Sequence, residues 1–288
     1  MVVDTKVALA PITPADIDDV ARFLQANMQS GVSAETWSKA LNPPWRFLQP
    51  NHGFLLRTDD AIVGVYLAFY SERILDGQVE AFCNLAAWCV LEEHRGRGLR
   101  LLRRMLGQPG YHFTDLSPSG NVVALNKRLK FVELDTTTAV VPNIPLPIRS
   151  ARVQIVTDPE DIDAQLSEQN RLIYRDHRGL LGARHLLLRV HDRQCYVMYR
   201  RDRRKRLPLF ASVLYVSDSE VFRHTNRYFF RHLLLRHAIP FTLVELRVGG
   251  HRPRGSILRQ GRPRMFRSAS LRAEQIDYLY SELTCVPW

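Results

Sequence analysis

The stretch Arg95-Gly96-Arg97-Gly98 follows an apolar segment, residues 82–91, and precedes residues 99–106, whose apolar side chains recur at helical spacing. This order predicts a strand, a glycine-containing turn and a helix in succession. Such a turn offers unpaired backbone N–H groups at the positive end of a helix dipole, which is how proteins hold a pyrophosphate. The sequence therefore points to a nucleotide-type cofactor at this turn.

The segments around the turn predict a sheet. Residues 80–91 are apolar on both faces, as expected of a central strand that is covered on each side. Upstream, residues 53–57 and 61–70 predict a hairpin, and downstream, residues 112–116 predict a further strand. In the second half of the chain, the patterns predict strands at 195–200, 207–216 and 241–247 and a helix at 223–237.

A short pattern recurs about half a chain length apart and indicates two related lobes. Residues 14–18 read Pro-Ala-Asp-Ile-Asp and residues 159–163 read Pro-Glu-Asp-Ile-Asp, each at the start of an amphipathic segment. Between them, Pro142, Pro145 and Pro147 mark an extended linker. We therefore expect an α/β protein with one domain at residues 1–150 and a second at residues 151–288.

Two motifs resemble the signature of the GCN5-related N-acetyltransferases. That family carries Gln/Arg-x-x-Gly-x-Gly/Ala between its fourth strand and third helix, and Arg95 to Arg100 match it except that Arg100 replaces Gly or Ala. Residues 126–131, Asn-Lys-Arg-Leu-Lys-Phe, resemble the family's Tyr-x-x-Leu-Gly-Phe, with Asn126 in the place of the Tyr. The resemblance covers about residues 7–135 and implies, for each lobe, a mixed, mostly antiparallel sheet flanked by helices.

The resemblance implies acetyl-CoA or another acyl-CoA as co-substrate. The co-substrate would lie where the fourth and fifth strands separate, with its pantetheine arm on the strand end and its phosphates on the turn. A primary amine would attack the thioester directly, while strand N–H groups stabilise the oxyanion. The cofactor-binding residues that this implies are Cys89, Val90, Leu91, Arg95, Gly96, Arg97, Gly98, Leu99 and Arg100.

The base that would deprotonate the amine is less evident. An amine with a pKa near that of lysine, about 10.4, needs a general base at neutral pH. The strand position that supplies this base in some family members holds Asn84, and the nearest carboxylate on the strand is Glu80. Glu80 and Asn126 are the candidate catalytic residues, although Glu80 also fits a solvated strand start. Trp45 stands where the family builds its acceptor pocket, and a core aromatic is an equal alternative.

Composition excludes several classes of protein. The four cysteines show neither CxxC pairing nor metal-ligand spacing, so we expect reduced thiols and no metal site. Cys83 and Cys89 are expected on one face of their strand, where packing is favoured over a nucleophilic role. We find no secretion signal, and apolar runs such as residues 61–70 are too short to span a bilayer, which predicts a cytoplasmic protein.

The net charge of +11 lies in the second half of the chain. Lys+Arg and Asp+Glu number 15 and 15 in residues 1–150, but 25 and 14 in residues 151–288. Residues 247–267 combine arginine with glycine and proline and predict a flexible basic loop. Residues 217–222, at the position of the phosphate turn, lack glycine and carry two carboxylates, which predicts a degenerate second lobe without a pyrophosphate site.

Two functions are compatible with these patterns. The first is an N-acyltransferase that acts on a small-molecule or protein amine, with an acidic acyl carrier protein as a further candidate partner of the basic lobe. The second is a non-catalytic protein of the same fold that binds an acidic protein or polyanion through that lobe. Nucleic acid is disfavoured because only Phe266 interleaves the basic residues of 247–267. Monomer and dimer both remain open.

Overall fold

The structure is a computed structural model that describes residues 7–45, 47–59, 61–145, 153–204 and 207–287. Its strands are β1 (Ala8–Pro11), β2 (Gly53–Arg57), β3 (Ile62–Leu75), β4 (Gln78–Val90), β5 (His112–Asp115), β6 (Val132–Glu133), β7 (Thr137–Pro142), β8 (Val153–Val156), β9 (Arg184–Val190), β10 (Arg193–Arg204), β11 (Leu207–Val216), β12 (Phe241–Glu245), β13 (Ile257–Gln260) and β14 (Met265–Arg267). Its α-helices are α1 (Ile17–Asn27), α2 (Ala34–Leu41), α3 (Gly98–Leu106), α4 (Gly120–Arg128), α5 (Pro159–Gln165), α6 (Glu168–His177), α7 (Ser219–His237), α8 (Leu246–Gly249) and α9 (Glu282–Cys285). None of the helices described is both long and apolar enough to cross a membrane.

The described chain forms two compact units, each built on one seven-stranded sheet. The first unit holds the described residues up to Glu133 together with Arg264–Gln275 and Tyr280–Glu282, and the second unit holds the others. The strand order is β1-β2-β3-β4-β5-β14-β6 in the first sheet and β8-β9-β10-β11-β12-β7-β13 in the second. The pairs β4–β5 and β11–β12 are parallel, and the other described pairs are antiparallel. Mixed, mostly antiparallel sheets with flanking helices confirm the predicted fold class.

Each sheet contains one strand from the other half of the chain. β7 lies between β12 and β13, and β14 lies between β5 and β6. Ala139 and Val141 of β7 accordingly belong to the apolar core of the second unit, and Met265 of β14 belongs to that of the first. The domain boundary predicted near residue 150 lies outside the described residues. The two units are therefore discontinuous in sequence.

The predicted hairpins, central strand and helices are confirmed in β2–β3, β4, α3, β10–β11 and α7. The prediction of a flexible basic loop at residues 247–267 is wrong, because this range contains most of α8 and the whole of β13 and β14. β13 pairs with β7 and β14 pairs with β5, so sheet hydrogen bonding outweighs the local preference of glycine and proline for turns. The strand predicted at 241–247 ends at Glu245, where α8 follows.

Candidate active site

A bulge interrupts β4 next to the point where it leaves β5. Tyr66 of β3 lies opposite two residues of β4, Ala87 and Trp88. Ala87 has a φ of 47°, a conformation that few residues other than glycine adopt. Pairing between β4 and β5 covers only the four positions from Phe82 to Leu85. Beyond Leu85 the two strands separate, and that edge of β4 has no partner among the described strands.

The backbone of β4 beyond the bulge presents one residue to this open edge. Leu91 donates its N–H to the carbonyl of Val63 at 3.0 Å, on the side of β3. Successive N–H groups of a strand point to opposite edges. The N–H of Cys89 therefore also points toward β3, and that of Val90 points to the open edge. Of the three strand residues predicted to meet a pantetheine arm, Val90 has its main chain free to do so.

No side chain of the described residues caps the helical segment that follows β4. Residues Glu92–Arg97 form a 3₁₀ helix that carries Glu92 and Glu93 in its first turn and continues into α3 at Gly98, whose N–H donates to the carbonyl oxygen of Arg95. No side chain of the described residues caps α3, and its own first turn holds no acidic residue. A Cβ added at Gly96 would meet nothing within 4 Å, and its φ is not positive. Neither packing nor backbone conformation requires glycine at 96, so the open space beside the amides suits an anion that approaches the main chain closely.

The arginines of the turn differ in their surroundings. Arg95 lies at the surface with its Nη1 3.4 Å from Oε1 of Glu92. Arg100 donates from Nη1 to the carbonyl oxygen of Val7 at 3.1 Å. The guanidinium of Arg100 is therefore engaged with the main chain before β1 rather than with the turn.

At the corresponding turn of the second unit, a side-chain carboxylate caps the helix α7. Asp218 precedes α7, and its Oδ1 accepts from the N–H groups of Glu220 at 3.0 Å and Val221 at 2.8 Å. Arg193 contacts the carboxylates of Asp218 and Glu220, each at 3.0 Å. The Asp218 carboxylate takes the place that a phosphate would take on such a helix.

A cluster of polar side chains lies where β5 ends, beside the separation of β4 and β5. We call it the Glu282 cluster, and its members are Asn84, Asp115, Ser117, Asn126 and Glu282. Glu282 and Asn126 are 0% exposed, Asn84 is 1% exposed and Asp115 is 5% exposed. Ser117 is exposed and thus connects the buried members to solvent.

Hydrogen bonds connect the members of the Glu282 cluster. The Ser117 hydroxyl donates to Oε1 of Glu282 at 2.7 Å, and the Glu282 main-chain N–H donates to Oδ1 of Asn84 at 3.0 Å. Nδ2 of Asn126 donates to Oδ2 of Asp115 at 2.8 Å. Within the described part of the chain, Oε2 of Glu282 and Oδ1 of Asn126 are buried without a hydrogen-bond partner. Buried acceptors of this kind indicate a place for a donor that the protein itself does not supply.

Both carboxyl groups of the cluster titrate near neutrality. Burial raises the pKa of Asp115 to about 6, while hydrogen bonds from Asn126 and the Ser117 main chain oppose the rise. Burial raises the pKa of Glu282 to about 7, the Ser117 hydroxyl opposes this, and the charge of Asp115 adds to it. Such values suit groups that exchange protons at neutral pH.

Tyr66 connects the bulge to the cluster. Its ring stacks on Trp88 with 4.8 Å between the ring centroids, and Nε1 of Trp88 lies 3.6 Å from the ideal Cβ position of Gly98. The pKa of Tyr66 is raised well above its usual range, first by burial and then by the charges of Asp115 and Glu282, among others. Packing thus connects the start of α3 with Tyr66 through Trp88, and electrostatic interactions connect Tyr66 with the two carboxyls.

The structure brings Asn126 into this cluster and places Glu80 elsewhere. Oε2 of Glu80 lies 2.8 Å from Nε2 of His112, whose Nδ1 lies 2.9 Å from the Ser268 hydroxyl. Glu80 precedes the paired segment of β4, whereas the strands separate at the other end of that segment.

Trp45 is a buried residue that contacts the segment leading to Glu282. Its Nε1 donates to the carbonyl of Tyr70 at 2.9 Å, and its ring packs edge-on against Tyr280 with 5.3 Å between centroids. Tyr280 has a φ of 56°, an unusual conformation for a bulky residue. Strained backbone of this kind is typical of functional sites.

The two cysteines of β4 lie on opposite faces, so the prediction of a common face is wrong. The bulge inserts one extra residue, and Cys83 packs in the core with Trp88 and Val90 while Cys89 alternates to the other side. Burial raises the pKa of both thiols. Thiols with a raised pKa are poor nucleophiles.

Sequence reasoning did not predict Asp115 and Glu282. For Asp115 a signal existed, because a carboxylate that alternates with Phe113 in an apolar strand shares its face. For Glu282 there was none, since its contact with Asn84 joins residues 198 positions apart.

Comparison with known proteins identifies the fold. No family profile matches the chain, and no curated protein matches its sequence. A GCN5-related N-acetyltransferase from Kribbella flavida is 17% identical with a TM-score of 0.57, over 93% of this chain and 72% of that one. A GCN5-related N-acetyltransferase from Anabaena variabilis is 13% identical with a TM-score of 0.59, over 91% and 72%. N-myristoyltransferase from Saccharomyces cerevisiae, solved with bound myristoyl-CoA, is 10% identical with a TM-score of 0.52, over 98% and 86%. The chain therefore has the fold of the GCN5-related N-acetyltransferases, as its motifs predict.

Proposed function

We propose that the protein is an acyl-CoA-dependent N-acyltransferase, with acetyl-CoA as the first donor to test. The observation that carries the proposal is the start of α3 at Gly98, which no described side chain caps and which one 3₁₀ helix separates from the open edge of β4 at Val90. Uncapped helix amides bind phosphate, and an open strand edge binds an extended chain of amide groups. Coenzyme A carries an amide-bearing pantetheine arm joined to a pyrophosphate, so it matches the strand edge and the helix start in the order in which they follow each other.

The turn residues from Arg95 to Leu99 hold the phosphates in this proposal, and the main chain of Val90 pairs with the pantetheine arm. Cys89 and Leu91 contribute indirectly, because their pairing with β3 holds the strand that presents Val90. Arg100 also contributes indirectly, because its hydrogen bond to the carbonyl of Val7 holds the first turn of α3 in place. The acceptor is an amine whose nitrogen attacks the thioester carbon directly, so that a C–N bond forms as the C–S bond breaks. The fold neighbours named as N-acetyltransferases and as a myristoyl-CoA complex support an acyl-CoA donor.

Calorimetric titration with CoA tests the proposal. In the variant Gly96→Asp, we expect at least tenfold weaker binding, about 1.4 kcal/mol, because a carboxylate beside the turn competes for its amides and repels phosphate. The new side chain has open space, as it also has in the control Gly179→Asp in the second unit. Parental CoA affinity in Gly96→Asp, or no CoA binding by the parent, contradicts the proposal.

A basic surface on α7 favours a second candidate function, the binding of a polyanion or acidic protein without catalysis. Arg223, Arg227 and Arg231 recur every four residues along α7 and are exposed. Helical residues at this spacing share one face. An affinity for heparin that falls steeply with salt, without release of CoA from acetyl-CoA on any amine, would favour this function. Turnover of acetyl-CoA with an amine would remove it.

A further inference from the structure

A glutamate from a distant segment of the chain, Glu282, is hydrogen-bonded to Asn84 of β4. Asn84 stands on β4 where the resemblance implies a base, and its side-chain oxygen accepts the main-chain N–H of Glu282 at 3.0 Å. The opposite end of the Asn84 amide is also fixed, because its Nδ2 donates to Oγ1 of Thr114 at 3.1 Å. Asn84 thus holds Glu282 beside the pair of strands whose separation forms the proposed donor site.

Two buried oxygen atoms of the Glu282 cluster accept no hydrogen bond from the described residues. Oε2 of Glu282 and Oδ1 of Asn126 have no partner among the described residues, although both side chains are 0% exposed. Leaving a buried acceptor without a hydrogen bond is costly in free energy. The other polar atom of each side chain is already bonded, since Oε1 of Glu282 accepts from Ser117 and Nδ2 of Asn126 donates to Asp115. An ammonium group carries three N–H donors and a positive charge, so it suits a carboxylate oxygen such as Oε2 of Glu282 and leaves further donors for a neutral acceptor such as Oδ1 of Asn126.

We propose that Glu282 is the general base of the reaction, receiving a proton from a cationic primary amine at Oε2, and that the exposed hydroxyl of Ser117 passes this proton to solvent. This inference rests on the proposed N-acyltransferase function and names its acceptor class and its base. Asn126 accepts a second N–H of the amine and so orients its lone pair.

The protons balance in this sequence. One N–H proton of the ammonium passes to Oε2 of Glu282, and the freed lone pair attacks the thioester carbon. The C–N bond forms, the C–S bond breaks, and a second N–H proton goes to the departing sulfur, which yields an amide and free CoA. A half-turn of the Glu282 carboxyl group about its Cγ–Cδ bond then brings this proton to the position of Oε1, 2.7 Å from Oγ of Ser117. Ser117 Oγ accepts the proton while the hydroxyl gives its own proton to solvent.

The charges around Glu282 favour proton transfer at neutral pH. Among the described residues, the titratable groups that act on it are Asp115 at the end of β5 and Tyr66 on β3, and the side chains that hydrogen-bond to it, Asn84 and Ser117, are neutral. Burial and the charge of Asp115 raise the pKa of Glu282 to about 7. The base form therefore predominates above pH 7, and kcat/KM should rise through about pH 7. In Asp115→Asn the rise should move to lower pH, because the charge that raises the pKa is gone.

The kinetic test uses acetyl-CoA with n-butylamine and follows release of the CoA thiol. We expect Glu282→Gln to lower kcat about 100-fold, the range of a lost general base, while the dissociation constant for CoA stays within threefold. The matched control is Glu35→Gln, which changes a carboxylate with 78% side-chain exposure. Parental kcat together with a parental pH profile in Glu282→Gln overturns the inference.

A second measurement, which needs binding of n-butylamine but not its turnover, tests the inference if turnover is too slow to follow or if Glu282→Gln does not fold. In protein with ¹³C-labelled glutamate carboxyls, the Glu282 signal is assigned from its shift in Ser117→Ala, a variant at an exposed position. With CoA bound, n-butylammonium should shift this signal and lower its titration midpoint, since a cation favours the carboxylate. A signal that ignores the amine overturns the inference. Failure of CoA to bind contradicts the proposed function instead, which calorimetry detects separately.

Discussion

At the scale of single residues, Glu282 and Asp115 couple folding to pH. Both carboxyls have a raised pKa in the folded protein, chiefly because of burial. An unfolded chain ionises them near pH 4, whereas the folded chain holds their protons until pH 6 or 7. The free energy of unfolding that they contribute is therefore full below about pH 4 and is lost as pH rises through 7.

This linkage predicts the pH dependence of a variant. At pH 4 we expect Glu282→Gln to unfold at a urea concentration no higher than that of the parent. At pH 8 the stability of the variant relative to the parent should be about 3 kcal/mol more favourable than at pH 4, because the folded parent has by then lost the stability linked to the raised pKa. Urea unfolding of the parent and of Glu282→Gln at both pH values measures the difference, with the exposed Glu35→Gln as control. A parent and variant with parallel pH dependence would show that Glu282 is ionised normally in the folded state.

At the scale of elements, we expect the bulge in β4 to be what separates this strand from β5, because the pairing of the two strands ends at Leu85, next to the bulge. Ala87 holds it with a φ of 47° and is only 9% exposed. A β-branched residue tolerates that conformation poorly, so Ala87→Val should cost about 1–3 kcal/mol and weaken CoA binding as the bulge straightens. The control is Ala81→Val, which lies in the regular part of β4 opposite Glu72 and suits valine. Thermal unfolding and calorimetry measure both effects, and equal behaviour of the two variants would refute the role of the bulge.

The elements also divide what the sequence predicts from what it does not. The strand, turn and helix around Gly96 and Gly98 are predictable because periodicity and glycine act over a few neighbouring residues. The bulge at Ala87 carries no such local signal, and it changes which faces Cys83 and Cys89 occupy. β14 and Glu282 reach the first unit only through pairing with distant segments, which local patterns do not contain.

At the scale of the whole molecule, the exchange of β7 and β14 makes each sheet depend on both halves of the chain. Without β14, β5 and β6 of the first sheet lose the strand between them, and Met265, which is 0% exposed, leaves its core. If β7 is missing, the neighbouring strands β12 and β13 of the second sheet lose the strand between them, and Ala139 and Val141 are lost from the core of the second unit. An interior strand supplies hydrogen bonds to two neighbours, so its loss exposes backbone groups on both.

We therefore expect fragments 1–150 and 151–288 to be unfolded or aggregated when expressed alone, and to form a folded complex when expressed together. Circular dichroism and amide exchange on each fragment, and on the mixture, measure this. A variant of the intact chain, Met265→Lys, serves as a control. Residue 265 belongs to the second half of the sequence but lies in the core of the first unit, so the buried charge should lower the free energy of unfolding by several kcal/mol. If fragment 1–150 folds alone and binds CoA as the intact chain does, β14 is dispensable and the halves are independent domains. If neither fragment folds and the mixture does, the chain is a single cooperative protein despite its two cores.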